Sequence, residues 1–273
     1  MSDFHPNAKG GFIENTLEGL HAAMDRMLYA EASASRTGAL QQLDPRVKVA
    51  GLFAMVVSVA LAAKLWAIAA MLALAVALAL ASAIPIRVLA SRTWLGAFLF
   101  SGAIALPALF LTPGTPLYGL PITLQGLRAG GYLVMRAETA ATLMLVLAYT
   151  TPWTHILKAL RIFRVPVVFV VILGMTCRYI LLMLETAHEM FESRKSRTVN
   201  RMTPAENRRL AIASSGVLLH KTLHISGEVY LAMQARGFRG EVYVLDDFAM
   251  QARDWFALAA FATVVTVSIL VGR

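Results

Sequence analysis

The chain has 273 residues, of which 58% are hydrophobic and only 15% are charged. Soluble globular domains are about 45–50% apolar even when glycine is counted, so this composition excludes an ordinary soluble fold, and with it disordered, collagen-like and disulfide-rich secreted chains. The formal net charge is +9, and Cys177, the one cysteine, can form neither an internal disulfide nor a thiolate cluster. These figures favour an integral membrane protein with basic segments outside the bilayer.

Residues 1–46 are mixed polar and lack the apolar stretch of a cleavable targeting signal, so we expect the first apolar run to be an uncleaved span. A spanning helix needs about 17–25 predominantly apolar residues, because its backbone must satisfy its own hydrogen bonds in lipid. Five runs meet or nearly meet this length: 47–63, 65–84, 93–112, 130–150 and 255–272. The sequence therefore predicts five membrane-spanning helices.

The run 165–184 is the ambiguous one. Its charge-free part covers only thirteen residues before Arg178. Ten further Lys and Arg residues lie between Arg194 and Arg253, and a full crossing would place them on the outer side. We therefore predict that 165–184 dips into the membrane or lies along its cytoplasmic face.

The distribution of Lys and Arg also predicts the orientation. Five of them precede the first span, one follows it, two follow the second span and one follows the third. Cytoplasmic loops carry the excess of positive charge, so the N-terminus is expected in the cytoplasm.

The polar insert 186–253 carries a clear helix start and stop. Thr203 and Glu206, with Pro204 between them, form a capping-box pattern. From there a helical pattern runs to Arg236, where Gly237 can supply a left-handed terminal residue. A second helix is predicted over 176–197, apolar at first and then charged, as if it emerged from the bilayer into water.

The predicted fold class is an all-α integral membrane protein with about five transmembrane helices, one partly immersed segment and long cytoplasmic helices. We divide it into a cytoplasmic N-terminal segment (1–42), a membrane domain (43–152), a cytoplasmic and interfacial helical region (153–253) and a C-terminal transmembrane helix (254–273).

Metal ligation and catalysis find little support in the residues. His220 and His224 are four apart on one helical face, but no glutamate stands between them as in H-E-x-x-H and no third ligand is near in the sequence. The chain lacks a phosphate-binding loop, a dinucleotide fingerprint and a nucleophile elbow. We therefore expect no enzyme activity, no ATP hydrolysis by this chain alone, no bound metal and no nucleic-acid partner.

Basic clusters at the ends of the two long polar helices are the sharpest signal. The first is Ser193-Arg194-Lys195-Ser196-Arg197-Thr198, and the second contains Ala235-Arg236-Gly237-Phe238-Arg239. A small residue and a helix-ending glycine allow a helix end to enter a groove. The guanidinium of the arginine between them can then contact a carboxylate through two hydrogen bonds. An acidic groove on a soluble partner is the natural complement.

Several stretches, in order from residue 43 onward, resemble the transmembrane coupling component of energy-coupling factor transporters, specifically the CbiQ type of cobalt uptake systems. They are Leu43-Asp44-Pro45-Arg46-Val47-Lys48, Tyr149-Thr150-Thr151-Pro152, Leu157-Lys158-Ala159-Leu160, Val165-Pro166, Met175-Thr176-Cys177-Arg178-Tyr179-Ile180 and Tyr230-Leu231-Ala232-Met233-Gln234-Ala235-Arg236-Gly237-Phe238.

The resemblance implies a multi-pass protein of the bacterial inner membrane whose coupling helices dock into a pair of CbiO-like ABC-type ATPases. It implies that the ATPases carry ATP and Mg²⁺, that a separate CbiM-like membrane subunit binds Co²⁺ or Ni²⁺, and that a small CbiN-like subunit can accompany them. The resemblance also implies a link to cobalamin biosynthesis.

By the same resemblance, residues of both clusters dock the ATPase: Ser193, Arg194, Arg197, Ala235, Arg236, Gly237 and Arg239. The family's Ala-Arg-Gly pattern is intact at Arg236. The first cluster departs from it, and we assign docking there to Arg194, with Arg197 as its substitute. Arg178, Glu185 and Glu189 are assigned to the coupling helix itself.

One alternative comes from another class of protein. An autonomous secondary transporter or channel could use Arg136, Glu138 and Arg178 as its ion path, because ionisable residues inside a membrane mark such paths. That alternative predicts transport without an ATPase and tolerance of Arg236→Ala. A membrane-bound enzyme would need a polar catalytic cluster, which we do not find in the sequence.

Overall fold

A computed structural model of the chain describes residues 12–34, 38, 40–112, 123–197, 203–238 and 250–272. Those residues form helices and no β-sheet. The ten α-helices are α1 (Phe12–Ala34), α2 (Pro45–Leu61), α3 (Leu65–Ala81), α4 (Ile86–Leu89), α5 (Leu95–Leu111), α6 (Leu124–Thr150), α7 (Trp153–Ile162), α8 (Val167–Arg197), α9 (Pro204–Ala235) and α10 (Ala252–Gly272). A π-helical segment, Ala90–Trp94, joins α4 to α5.

Helices occupy all five predicted spans. By length and composition, α6, α8 and α10 are long and apolar enough to cross a membrane, and α3 and the stretch Leu95–Pro107 are shorter apolar helices. The chain is therefore an all-α membrane protein.

One predicted boundary is wrong. The helix expected over 176–197 begins at Val167, so the ambiguous run and the charged segment form one continuous helix of 31 residues. Its most apolar 18-residue window has no buried residue within the protein. An exposed arginine has a helix propensity close to that of leucine, so Arg178 does not interrupt the helix.

The helices group into two compact units, one of residues 1–29 and 163–245 and the other of residues 30–162 and 246–273. The first unit holds α8, α9 and most of α1. The second holds α2 to α7 and α10.

The second unit packs α2, α3, α6 and α10 around an apolar core that includes Met55, Ile68, Leu143 and Phe261. Gly51 allows this packing, since a Cβ there would lie 2.5 Å from the Phe261 ring. Small residues at helix interfaces permit such close approach in membrane proteins.

A buried polar network closes the second unit where three helix ends meet. Lys48, 1% exposed, donates from Nζ to the Thr150 carbonyl at 3.0 Å, which satisfies one free carbonyl at the end of α6. Asp254, 2% exposed, accepts from the backbone N–H of Asp44 at 2.9 Å and from that of Gln251 at 2.8 Å. The network joins the starts of α2 and α10 to the end of α6, and we call it the helix-end latch.

Candidate partner-docking site

The two basic clusters belong to α8 and α9, which lie antiparallel in the first unit. Thr222 Oγ1 donates to Met183 Sδ at 3.2 Å, and Lys221 Nζ donates to Thr186 Oγ1 at 3.3 Å. Residue numbers fall along α9 as they rise along α8, so the end of α8 lies beside the start of α9.

This register places the two clusters at opposite ends of the helix pair. With Met183 opposite Thr222, the α9 position facing Arg194 is near residue 211. Arg236 lies about 25 residues further along α9, which at 1.5 Å per residue is roughly 35–40 Å away. A partner that holds both clusters must therefore offer two grooves that far apart.

The C-terminal end of α9 forms a complete Schellman cap. Gly237 donates its N–H to the Gln234 carbonyl at 2.9 Å, and Phe238 donates to the Met233 carbonyl at 3.0 Å. Gly237 has a φ of +75°, which confirms the predicted left-handed residue. Arg236 is the exposed cap residue, so its guanidinium stands at a rigid helix end.

We expect Gly237→Ala to destabilise this cap by about 1–2 kcal/mol, because a Cβ is strained in the left-handed region although no atom lies within 4 Å of it. Hydrogen exchange of residues 232–236 should speed up. Gly237→Asn, which tolerates that conformation better, should have a smaller effect. Equal protection in both variants and the native chain would contradict this assignment.

The N-terminal end of α9 carries the predicted capping box, which the structure confirms. Glu206 donates its N–H to Thr203 Oγ1 at 3.3 Å, and the Glu206 carboxylate accepts from the Thr203 N–H at 2.7 Å. Hydrogen bonds from the Thr203 backbone and hydroxyl lower the pKa of Glu206.

The capping box predicts a pH dependence at the start of α9. Because the folded-state pKa of Glu206 is lowered, its contribution is present above the unfolded pKa and is lost as pH falls through the folded value. Hydrogen exchange of residues 204–209, corrected for intrinsic rates, should lose protection over that acidic interval. Thr203→Ala should lower protection at neutral pH and flatten the pH dependence, whereas Thr222→Ala, in the middle of α9, should do neither.

On α8, five of the predicted residues form one exposed stripe, which we call the α8 polar stripe. Its members are spaced by seven or four residues and so lie on one side of the helix: Arg178, Glu185, Glu189, Ser193 and Arg197. Arg194 lies away from the stripe and is half-buried. Exposure therefore favours Arg197 over Arg194 for contact with a partner.

The remaining predicted residues complete the α9 end. Ala235 is the last residue of α9 and is exposed. Arg239 lies outside the described residues.

An apolar groove of about 520 Å³ runs between α8 and α9. It is lined by Ile172, Met175, Thr176, Tyr179, Ile180, Met183, Thr222, Ile225, Ser226, Val229, Tyr230 and Met233. The apolar start of α8 is visible in the sequence, but the pairing of α8 with α9 depends on their register.

The packing of helix α1 was not predicted from the sequence. Residues 1–42 were expected only to lie in the cytoplasm. Ile13 and Leu17 of α1 and Phe191 of α8 form a small buried core. The signal was present in the apolar stripe of α1, in which Ile13, Leu17 and Leu20 recur at spacings of four and three.

His220 and His224, the pair considered for metal binding, both lie on α9. His224 Nε2 lies 3.2 Å from Glu228 Oε1, one turn further along α9. In the part of the chain that the structure describes, no group of three or more His, Cys, Asp or Glu residues is arranged to hold a metal ion.

Among the described residues, Arg136 and Glu138 of the alternative ion path do not form an ion pair with each other in α6. Arg136 donates to the Ala62 carbonyl and lies 5.8 Å from the centre of the Tyr132 ring. Glu138, two residues on, is buried and projects from a different side of α6, because residues two apart on a helix do not face each other. Arg178 is an exposed member of the α8 polar stripe.

Comparison with known proteins now gives the family. Residues 37–244 match the CbiQ family model, described as a cobalt transport protein. The chain is 26% identical over 268 residues to an uncharacterized protein of Methanocaldococcus jannaschii, covering 95% of this chain and 91% of that protein. It is 32% identical over 167 residues to the cobalt transport protein CbiQ of Rhodobacter capsulatus, covering 56% of this chain and 67% of that protein.

Proposed function

The chain belongs to the CbiQ family of cobalt transport proteins, and we propose that it is the transmembrane energy-coupling subunit of an ATP-driven cobalt or nickel importer. In this proposal a pair of CbiO-like ATPases hydrolyses ATP with Mg²⁺, and a separate CbiM-like membrane subunit binds the metal, with or without a CbiN-like subunit. The complex lies in the plasma membrane with the N-terminus of this chain in the cytoplasm.

The observation that carries the proposal is the placement of two exposed arginine ends at opposite ends of one helix pair. Arg197 ends α8, and Arg236 caps α9 roughly 40 Å away. A single groove cannot hold both ends, whereas two identical subunits offer one groove each. A guanidinium on a capped helix end can contact a groove carboxylate with two parallel hydrogen bonds.

The mechanism we propose is mechanical. ATP binding closes the ATPase pair and moves the two grooves, and the grooves move the ends of α8 and α9. Because α8 is one unbroken helix from Val167 to Arg197, displacement of its charged end is transmitted to its apolar half. The apolar faces of α8 and α9 supply the surface against the metal-binding subunit.

Co-purification tests this proposal directly. The chain is expressed in membranes with its candidate ATPase and purified in detergent, and ATPase recovery is compared for the native chain, Arg194→Glu and Arg197→Glu. We expect the native chain to retain the ATPase and Arg197→Glu to lose more of it than Arg194→Glu.

Metal uptake separates the proposal from the autonomous-transporter alternative. Cobalt uptake by cells should require this chain, the ATPase and the metal-binding subunit together. Uptake by this chain alone, unaffected by Arg236→Ala, would overturn the proposal in favour of the alternative.

A further inference from the structure

We propose that helix α1 is a positioning element that holds the docking end of α8 in the direction its ATPase groove requires. This inference rests on the proposed function, because it concerns the same docking site. The residues that match the CbiQ family model begin at 37, so α1 (Phe12–Ala34) precedes the matched part of the chain.

The apolar contact between α1 and α8 lies beside the basic cluster. Phe191, 6% exposed, packs against Ile13 and Leu17, and its ring meets that of Phe12 edge-on with the centroids 6.4 Å apart. Phe191 is only three residues before Arg194. Burial at this point therefore restrains the last turns of α8, where the docking arginines lie.

Polar contacts extend the same interface in both directions along α8. The rings of His21 on α1 and His188 on α8 meet edge-on with centroids 4.1 Å apart. At the other end, Lys195 Nζ lies 4.0 Å from Glu14 Oε1. Exposed ion pairs of this kind contribute little energy, so the apolar core supplies most of the restraint.

Helix α1 restrains α8 without covering its exposed side. At 100° per residue, Ala187 and Phe191, the buried residues on α8, lie on the side opposite Glu185 and Glu189 of the α8 polar stripe. The partner-facing residues stay exposed while the opposite side is held.

The same small core also reaches α9. Leu210, near the start of α9, packs partly buried against Ile13, Leu17 and Phe191. Helix α1 therefore joins the end of α8 to the start of α9. In the antiparallel register of α8 and α9, both of these ends lie far from the Arg236 cap. A restraint here acts on one docking end and leaves the other unchanged.

Restraining a helix end before it binds removes part of the ordering cost from association. Releasing α1 should therefore weaken ATPase binding through the α8 end alone. A merely structural role for α1 would instead weaken both docking ends or lower the amount of folded protein.

The test variant is Leu17→Glu, which places a charge in the buried core, and its matched control is Asn15→Glu, which adds the same charge at an exposed position of α1. Leu17→Met keeps an apolar side chain and should behave as native. Phe12→Ala is a milder second variant in case Leu17→Glu lowers expression. Affinity for the ATPase is measured on the purified full chain, with hydrogen exchange of residues 187–197 measured without the ATPase.

We expect Leu17→Glu to weaken ATPase binding about tenfold and to speed exchange of 187–197, with Asn15→Glu unchanged in both. In a chain that already carries Arg197→Glu, Leu17→Glu should cause little further loss of ATPase affinity. In a chain that carries Arg236→Glu, the two losses of affinity should add. Additive losses with both reversals, or unchanged exchange and affinity in Leu17→Glu, would overturn the proposal.

Different results would contradict the proposed function and the proposed role of α1. If the native chain binds no ATPase, the proposed function fails, and exchange of 187–197 still decides whether α1 orders this end of α8. If the native chain binds the ATPase and Arg236→Glu releases it but Leu17→Glu changes nothing, only the role of α1 is overturned.

Discussion

Arg236→Glu should abolish recovery of the ATPase with the purified chain. Arg236 is exposed at the Schellman cap of α9, so the reversed charge would face the proposed acidic groove from a rigid position. Truncating one partner of a buried, hydrogen-bonded charge pair costs about 2–5 kcal/mol, which corresponds to a loss in affinity of roughly 30-fold to 4,000-fold. A loss of affinity at either end of this range would dissociate the complex during a detergent purification.

The matched control is Lys221→Glu, which makes the same change in net charge at an exposed position in the middle of α9. It should retain the ATPase. Arg236→Lys should give an intermediate loss, because an ammonium cannot reproduce the bidentate contact of a guanidinium. If Arg236→Glu retained the ATPase as well as Lys221→Glu does, α9 would not dock through its C-terminal cap.

Asp254→Ala should strongly destabilise the second unit of the protein. It removes the carboxylate that accepts from the backbone N–H groups of Asp44 and Gln251, and it removes negative charge near the buried Lys48 ammonium. Removing one partner from a buried charged network costs about 3–5 kcal/mol because the remaining groups stay buried without compensation. The midpoint of thermal unfolding should fall by about 10 °C.

Thermal unfolding in detergent, followed by loss of helical circular dichroism, measures this effect. Arg253→Ala is the matched control, since Arg253 is the neighbouring exposed residue and contacts Gln42 at a distance of 3.4 Å. Asp254→Asn keeps one acceptor and should lie between the two. If Asp254→Ala lowered the unfolding midpoint no more than Arg253→Ala does, the helix-end latch would not stabilise the second unit.

The two predictions also separate function from stability. Arg236 is exposed at a helix end, so its reversal should leave thermal unfolding unchanged while it removes the partner. Asp254→Ala should lower the unfolding midpoint, and any loss of the ATPase should follow the loss of folded protein.

The sequence by itself determined several features that depend on neighbouring residues. Apolar runs predicted α2, α3, α5, α6 and α10, because spanning length and hydrophobicity are local properties. The capping box at Thr203 and the left-handed Gly237 were also predicted, since both motifs close within six residues. The membrane class and the family resemblance follow from the same local patterns.

Only the tertiary structure decided which helix ends meet. The hydrogen bond from Asp44 to Asp254 joins residues 210 apart in the chain, and no periodicity in the sequence marks that pairing. The antiparallel register of α8 and α9 separates the two basic helix ends, and Phe191 packs against α1 beside one of them. Such contacts depend on how side chains fit between helices distant in the chain, whereas helix formation depends on residues three and four apart.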